Sequence, residues 1–220
     1  MKILMSWSSG KDSAWALHCL RRDGHHVAAL LTSINEAAGR VSMHGVREEI
    51  LRAQADAAGL PLLTIPLPWP CTNEIYEARL RIAVDQAVAA GFTHVAFGDL
   101  FLEDVRKYRE ERLAGTGLTP LFPLWGMPTP GLARAMIAGG IRARVATLDP
   151  RVMPRELAGA AFDEALLAAL PPEVDPCAER GEFHTCVTAG PMFSRSLSVE
   201  PGEIVEREGF VYRDFRLAHR

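Results

Sequence analysis

Ser8-Ser9-Gly10-Lys11-Asp12-Ser13 (SSGKDS) follows the short apolar run KILMSW at residues 2–7 and precedes a segment with helical spacing. Apolar residues recur three apart from Ala14 to Leu20, and Gly24 ends the pattern. The sequence therefore predicts a strand, a tight loop and a helix. Unpaired backbone N–H groups and the helix dipole make such a helix start an anion site, which the hydroxyls and the lysine would complete as a phosphate cradle.

Two other interpretations of this loop are a Walker A motif and an ordinary helix cap. A Walker A loop needs a glycine five residues before Gly10, and Met5 stands there, so that motif is absent. The serines and Asp12 are also common N-cap residues, so the segment by itself is equally typical of a capped helix. Its position favours the phosphate interpretation, because ligands of parallel sheets gather at the carboxyl ends of the strands.

Strand and helix patterns alternate over the first 100 residues. Apolar runs predict buried strands at 26–34, 62–67 and 93–97, and helical spacing predicts helices at 47–58 and 74–90. Buried strands separated by helices indicate the α/β class, with a doubly wound parallel sheet of the Rossmann-like kind.

The pattern changes after about residue 120, where prolines and glycines interrupt an apolar segment. Beyond it the sequence predicts a helix at 131–138, a strand at 143–148, a helix at 162–170, and an antiparallel pair at 204–207 and 210–215 around Glu208-Gly209. We place a boundary near residue 126, which gives domains 1–126 and 127–220, the second a smaller α+β unit.

Composition limits the function classes. The 220 residues are 48% hydrophobic and carry a net charge of −3, so a sizeable core is expected and no strong nucleic-acid signal is present. The four cysteines form no CxxC pair, the apolar run at the start is too short for a signal peptide, and no later run is long enough to cross a membrane. We expect a soluble, cytoplasmic protein. The scarcity of lysine beside abundant arginine and alanine is typical of a GC-rich bacterial genome.

Three further polar clusters are candidate binding segments. In Met43–Arg47, His44 and Arg47 could contact phosphate or an adenine edge, although a His-Gly turn before a helix is more often only structural. In Gly98–Arg112, Asp99 follows a strand and could hold Mg²⁺ or a ribose hydroxyl. Glu103, Arg106 and Glu110 would share one helix face, which a solvated surface helix explains equally well.

The third cluster is Asp175–Thr185, expected as a polar loop before an apolar strand. Its charges are compatible with a substrate site or with an ordinary surface. A zinc site formed by Cys177, His184 and Cys186 is a further alternative, but the spacing of these residues matches no usual zinc finger.

Taken in order, these segments resemble the diphthine–ammonia ligase family of N-type ATP pyrophosphatases, within the adenine nucleotide alpha-hydrolase-like (PP-loop) superfamily. The matching motifs are SSGKDS at 8–13, GDLFLED at 98–104, YRE at 108–110, LWG at 124–126, and GEFHT at 181–185 followed by Gly190-Pro191. Ser9 stands where the family loop SGGKDS has glycine, which suits the loop if Ser9 keeps a negative φ. Ala178 and Arg180 also depart from the late family motif.

The resemblance implies an ATP-dependent ligase in which a carboxylate attacks the α-phosphate of ATP with Mg²⁺, pyrophosphate leaves into the loop, and ammonia converts the acyl-adenylate to an amide. Residues 1–126 would bind ATP and 127–220 the carboxylate-bearing acceptor. The implied catalytic residues are Lys11, Asp12 and Glu182, with Asp12 and Asp99 as metal ligands. The implied ATP-binding residues are Ser6, Ser8, Ser9, Gly10, Lys11, Asp12, Ser13, His44, Arg47, Gly98 and Asp99. The implied acceptor-binding residues are Glu103, Arg106, Arg109, Glu179, Gly181, Glu182, His184 and Thr185.

The acceptor is left open, because diphthine is not expected in a bacterium. An ATP-dependent tRNA-modifying enzyme of the same superfamily and a non-catalytic ATP-sensing module are the alternatives. The lack of a cysteine pair argues against tRNA thiolation. The sequence is compatible with a homodimer.

Overall fold

The computed structural model describes residues 1–218 as two β-sheets with six α-helices. The strands are β1 (Ile3–Ser6), β2 (Val27–Asn35), β3 (Arg40–Val41), β4 (Leu62–Leu67), β5 (His94–Ala96), β6 (Thr119–Leu121), β7 (Arg142–Leu148), β8 (Phe183–Ala189), β9 (Val199–Arg207) and β10 (Phe210–Leu217). The helices are α1 (Lys11–Arg22), α2 (Glu48–Ala58), α3 (Asn73–Ala89), α4 (Glu103–Leu113), α5 (Thr129–Ala138) and α6 (Glu164–Ala169), with one 3-10 turn at Arg155–Leu157.

The first sheet confirms the predicted α/β class. Its parallel strands run in the order β4-β2-β1-β5-β6, and β3 adds a two-residue antiparallel pairing at the end of β2. The chain therefore leaves β1 toward one edge of the sheet and returns to β5 on the other side. The carboxyl ends of β1 and β5 form the topological switch point, where ligands bind in sheets of this type.

Helices cover both faces of the first sheet. Ile3 and Met5 point into an apolar cluster with α1 and α2, whereas Leu4 points into a second cluster with Val84 of α3 and Leu113 of α4. Successive side chains of a strand face opposite sides, so this alternation buries β1 on both faces. The opening strand is thus central, as the loop prediction required.

The second sheet is antiparallel, in the order β8-β7-β10-β9. Its β9–β10 turn lies at Glu208-Gly209, with φ values of 52° and 80°, which suits a two-residue hairpin turn. Val145, Val187 and Val211 of this sheet share an apolar cluster with Leu17 and Ile50 of the first unit. The core is therefore continuous across residue 126, and the division into 1–126 and 127–220 stays a prediction.

No helix within residues 1–218 combines the length and the apolar character needed to cross a bilayer.

Candidate functional site

A cavity of about 530 Å³ opens where β1 and β5 end. This volume lies within the range of small-molecule sites. Its polar wall is formed by Ser6, Ser8, Lys11, Asp12, Ser13, His44, Gly98, Asp99, Arg109, Glu179, Gly181, His184 and Thr185, and an apolar wall by Leu4, Leu80, Val84, Val95 and Leu118. Residues that the sequence nominated from four separate segments thus line one cavity.

Ser9 differs from the sequence-based expectation. Serine at position 9 was expected to suit the loop on condition that it kept a negative φ, but Ser9 has a φ of 72°, in the left-handed region. Its side chain is fully buried and donates to Gln54 Oε1 at 2.8 Å. Hydrogen bonds to buried partners therefore hold a conformation that glycine would adopt without strain. Ser9 is not among the residues that line the cavity.

Some of the backbone donors of the loop are already engaged. The Lys11 amide donates to Thr185 Oγ1 at 3.0 Å, and the Ser8 amide donates to Ser13 Oγ at 3.3 Å. Within residues 1–218, the Ser13 amide has no hydrogen-bond acceptor. This amide lies in the first turn of α1, where the helix dipole favours an anion. Together with the Ser8 and Ser13 hydroxyls it forms the part of the loop that is suited to phosphate.

Two glycines allow the close approach of neighbouring segments here. A Cβ on Gly10 would lie 2.8 Å from His44 Cε1, and a Cβ on Gly98 would lie 2.9 Å from the backbone of Asp12 and Ser13. Neither glycine has a positive φ, so crowding rather than backbone conformation requires them. Gly98 brings the segment after β5 against the start of α1.

Lys11 is buried in the wall of the cavity. Its Nζ donates to both oxygens of Asp12, at 2.9 and 3.1 Å, and to the carbonyl of Cys177. Burial disfavours the charge, but Asp12, together with Cys177 and Asp175, outweighs burial and raises the pKa of Lys11. The ammonium therefore stays charged and connects α1 to the loop before β8.

Asp99 forms an ion pair with Arg109, whose Nη2 donates to Oδ1 at 3.2 Å. The guanidinium also lies 4.4 Å from the centre of the Phe97 ring. Within residues 1–218, no group of three or more His, Cys, Asp or Glu side chains is placed to hold a metal, so the zinc alternative has no support. Asp12 and Asp99 remain two carboxylates on the cavity wall, and Mg²⁺ commonly takes one or two carboxylates plus substrate phosphates.

His44 and His184 pack against each other beside the loop, with ring centres 4.5 Å apart and ring planes tilted by 35°. His44 Nδ1 lies 3.3 Å from the Thr185 carbonyl. Burial lowers the pKa of His44 well below its usual value, and burial together with the Lys11 charge lowers the pKa of His184 to about 4. Both rings are therefore neutral at pH 7, so they offer polar edges and aromatic faces rather than positive charge.

The two glutamates of the third cluster have different environments. Glu179 lines the cavity, and its Oε1 accepts from the amides of Leu100 at 2.7 Å and Phe101 at 3.3 Å. Burial raises the pKa of its carboxyl. Glu182 instead accepts from the amides of Asp175 and Arg180, each at 3.0 Å, and does not line the cavity. The Glu182 carboxylate thus stabilises the loop that precedes β8.

The secondary structure of this cluster needs a correction. We expected Asp175–Thr185 to form a loop throughout, but β8 begins at Phe183, so His184 and Thr185 lie in a strand. The Val187 amide donates to the Ser9 carbonyl at 3.0 Å, which fixes β8 against the SSGKDS loop. This docking is what brings His184 and Thr185 to the cavity.

Three further nominated residues, in addition to Ser9, Gly10 and Glu182, do not line the cavity. Arg47 forms a bidentate pair with Asp214 of β10, with contacts of 2.7 and 2.9 Å, and Arg40 joins the same carboxylate at 2.9 Å. On α4, Glu103 is exposed. Arg106 pairs with Glu110 at 2.8 Å, as its spacing predicts, and lies over the Phe122 and Trp125 rings.

Sequence reasoning missed Gln54 and Asp214. Gln54 is fully buried on the apolar side of α2 and bonds to the loop, and Asp214 is almost fully buried in β10. A polar residue on the buried side of a helix was the available signal for Gln54. Nothing in the local pattern marked Asp214.

The chain is similar to a known family over its first half and to two curated relatives over most of its length. The family described as Diphthamide synthase N-terminal domain matches residues 1–118. A diphthine–ammonia ligase of Schizosaccharomyces pombe is 25% identical over 94% of this chain and 37% of its own length. A tRNA(Ile)-lysidine synthase of Caulobacter vibrioides is 28% identical over 80% of this chain and 43% of its own length.

The chain thus spans less than half the length of these curated relatives. The chain is also similar to the crystal structure of a predicted subunit of tRNA methyltransferase from Methanocaldococcus jannaschii DSM. The two are 16% identical in sequence, and the match has a TM-score of 0.49 and covers 87% of this chain and 98% of that one.

Proposed function

Because the chain belongs to the Diphthamide synthase N-terminal domain family, we propose that it is an ATP-dependent carbon–nitrogen ligase. In this proposal it activates a carboxylate by adenylation, releases pyrophosphate, and transfers ammonia to the activated carbon. The observation that carries the proposal is the cavity at the β1/β5 switch point, whose wall is the SSGKDS loop at the start of α1. The activity in the name of the S. pombe relative supports the choice of ammonia.

ATP would lie with its phosphates against the loop. The Ser13 amide, the Ser8 and Ser13 hydroxyls and the dipole of α1 favour an anion there. Lys11 would help to neutralise the leaving pyrophosphate, although its present contacts with Asp12 and Cys177 would have to be shared with the ligand. The adjacent neutral rings of His44 and His184 offer a surface suited to the base or to the acceptor.

Asp12 and Asp99 are the residues that would hold Mg²⁺, because both are carboxylates on the wall beside the proposed phosphate position. Bound there with the phosphates, the ion would supply charge neutralisation for the leaving pyrophosphate. The chain's own contribution is to keep both carboxylates oriented, Asp12 through Lys11 and Asp99 through Arg109.

The acceptor would enter opposite the loop, near Glu179, His184 and Thr185. One of its carboxylate oxygens attacks the α-phosphorus, and the bond to pyrophosphate breaks. Ammonia then attacks the acyl carbon, AMP leaves with that oxygen, and the nitrogen loses a proton. Residues 1–126 would in this way hold ATP, and residues 127–220 would contribute the acceptor side. The identity of the acceptor, as diphthine or as another carboxylate, stays a prediction. The homodimeric state of the protein stays a prediction as well.

A second candidate function is ATP-dependent tRNA modification, which the C. vibrioides relative favours. The net charge of −3 weighs against it, because binding to a phosphate backbone depends on an excess of clustered basic residues.

The test is product analysis with α-labelled ATP and Mg²⁺, in the presence of ammonium and a panel of carboxylates that includes diphthine-bearing protein. We expect AMP and pyrophosphate, with formation that depends on both the carboxylate and ammonium. ADP and phosphate as the products would contradict adenylation. AMP formation that requires tRNA instead of ammonium would favour the second candidate, and ATP binding without turnover would favour a sensing module.

A further inference from the structure

Gln54 lies outside the cavity lining, yet it contacts the segments that build the loop. It is fully buried on α2. Its Oε1 accepts from Trp7 Nε1 at 3.0 Å and from Ser9 Oγ at 2.8 Å, and its Nε2 donates to the carbonyls of Ser9 at 3.2 Å and Val187 at 2.7 Å. One side chain therefore joins the end of β1, the loop and β8.

These four bonds use the full hydrogen-bonding capacity of the amide. A glutamine side chain offers two N–H donors and an oxygen with two lone pairs. A methionine of similar size would leave Trp7 Nε1 and the Ser9 hydroxyl without their buried acceptor. A glutamate would face the Ser9 and Val187 carbonyls with an oxygen in place of a donor. Only an amide in this one orientation satisfies every partner.

Two of the bonds end on Ser9, the residue with the left-handed backbone. A side chain with a Cβ is strained in this region, and such a conformation persists only where its surroundings fix it. Gln54 binds both the hydroxyl and the carbonyl of Ser9, so it restrains that residue on both sides of its Cα. Ser9 in turn joins Ser8 to Gly10, and Lys11 follows as the first residue of α1.

We propose that Gln54 is a positioning residue for nucleotide binding. It holds Ser9 in the left-handed conformation, so that the Ser8 hydroxyl and the first turn of α1 face the phosphates of ATP. This inference rests on the proposed function, in which the loop binds ATP. Gln54 itself touches no ligand.

The first experiment compares Ser9→Ala with Ser9→Gly by titration calorimetry with Mg-ATP. Both substitutions remove the hydroxyl bond to Gln54, but only alanine keeps the backbone strain. We expect the Kd of S9A to be about fivefold higher than that of S9G, since the strain of a single left-handed residue is of that order. Equal Kd values for the two variants would overturn the proposal.

The second experiment removes the amide with Gln54→Met, alone and combined with Ser9→Gly. In the natural background we expect the ATP Kd to rise about tenfold, equivalent to about 1.4 kcal/mol. In the S9G background the rise should be about threefold or less, because glycine needs no restraint. The matched control is Gln86→Met at the only other glutamine, which is exposed on α3.

The outcomes separate the possible explanations. A merely structural role for Gln54 would lower the thermal unfolding midpoint of Q54M without a change in Kd, or would raise the Kd equally in both backgrounds, and either result contradicts the positioning role. If Q54M does not fold, Gln54→Glu, which keeps the acceptor for Trp7 and Ser9 but loses the donors to the Ser9 and Val187 carbonyls, is compared in the same two backgrounds, and an equal rise in Kd in both contradicts the proposal. Absence of saturable ATP binding by the unaltered chain would contradict the proposed function and, with it, this inference.

Discussion

Two charge clusters connect the first unit to the C-terminal part of the chain, and they differ in what surrounds them. The Lys11–Asp12 pair reaches Cys177 and lies in the cavity wall beside the loop. The Arg40–Arg47–Asp214 cluster joins β3 and the residue that precedes α2 to β10, and it does not line the cavity. Both combine basic side chains with a carboxylate. A candidate ligand site and a structural ion pair therefore differ here in their location, not in the chemistry of their side chains.

The largest expected effect comes from the cluster in the cavity wall. Lys11→Met should lower the rate of AMP formation by about 100-fold or more, because a fixed cation next to the leaving pyrophosphate is lost. The measurement is kcat/KM with α-labelled ATP, beside a thermal unfolding curve. The matched control is Lys107→Met, since Lys107 is 75% exposed and pairs only loosely with Glu111. Unchanged turnover in K11M would place Lys11 with the structural cluster.

A second substitution tests the geometry around the cavity cluster. Gly98→Ala would place a Cβ 2.9 Å from the backbone of Asp12 and Ser13, so the loop must move. We expect the Kd for Mg-ATP to rise about 30-fold, equivalent to about 2 kcal/mol. Gly131→Ala is the control, because Gly131 lies in α5 with no heavy atom within 4 Å of the added carbon. If both variants bind ATP as tightly as the unaltered chain, the close approach at Gly98 has no role in binding.

The structural cluster should behave in the opposite way. Asp214→Asn removes the charge that Arg40 and Arg47 share, and we expect the free energy of unfolding to fall by about 2 kcal/mol, between the values for surface and buried pairs. The ATP Kd should change by less than about threefold, because the cluster lies away from the cavity. Glu203→Gln, at an exposed position of β9, controls for the loss of a charge. A large rise in ATP Kd with normal stability would make Arg47 a binding residue after all.

The smallest effect is a pH dependence of stability. Burial opposes the charge on Asp214, but Arg47 and Arg40 outweigh it and lower the pKa of Asp214 to about 2. A carboxyl whose pKa is lower in the folded state stabilises the fold above its ordinary pKa, and this contribution is lost as the pH falls toward 2. We expect Asp214 to account for about 1–2 kcal/mol of the stability lost between pH 5 and pH 2. Denaturant titrations of D214N should lack this share of the loss.

Much of the fold could be predicted from the sequence. The apolar runs and helical spacing gave the strand at 62–67 and placed the helices over 47–58 and 74–90 to within one residue. The strands β3 and β6 were missed, because β3 has only two residues and β6 contains Pro120, one of the prolines taken to interrupt the pattern. The family resemblance drawn from the ordered motifs is confirmed by the match over residues 1–118.

The site was harder to predict than the fold. Ser8, Asp12, Gly98 and Asp99 follow strand ends, and the topology of a parallel sheet brings such residues together. The sequence could not show that Arg47 lies outside the cavity lining, because its partner Asp214 lies 167 positions away in the chain. The bonds of Gln54 to Ser9 and Val187 were hidden for the same reason. Bacterial origin and the assigned residue roles stay predictions.

The contact between β8 and the loop has a consequence for how the protein is made. The Lys11 amide donates to Thr185, and the Ser9 carbonyl accepts from Val187, so the first loop is completed by residues that are synthesised 174 and more positions later. Contacts between residues so far apart in the sequence form late, and they lower the rate of folding. On the ribosome the nascent chain would carry an unfinished loop until residue 187 has left the exit tunnel.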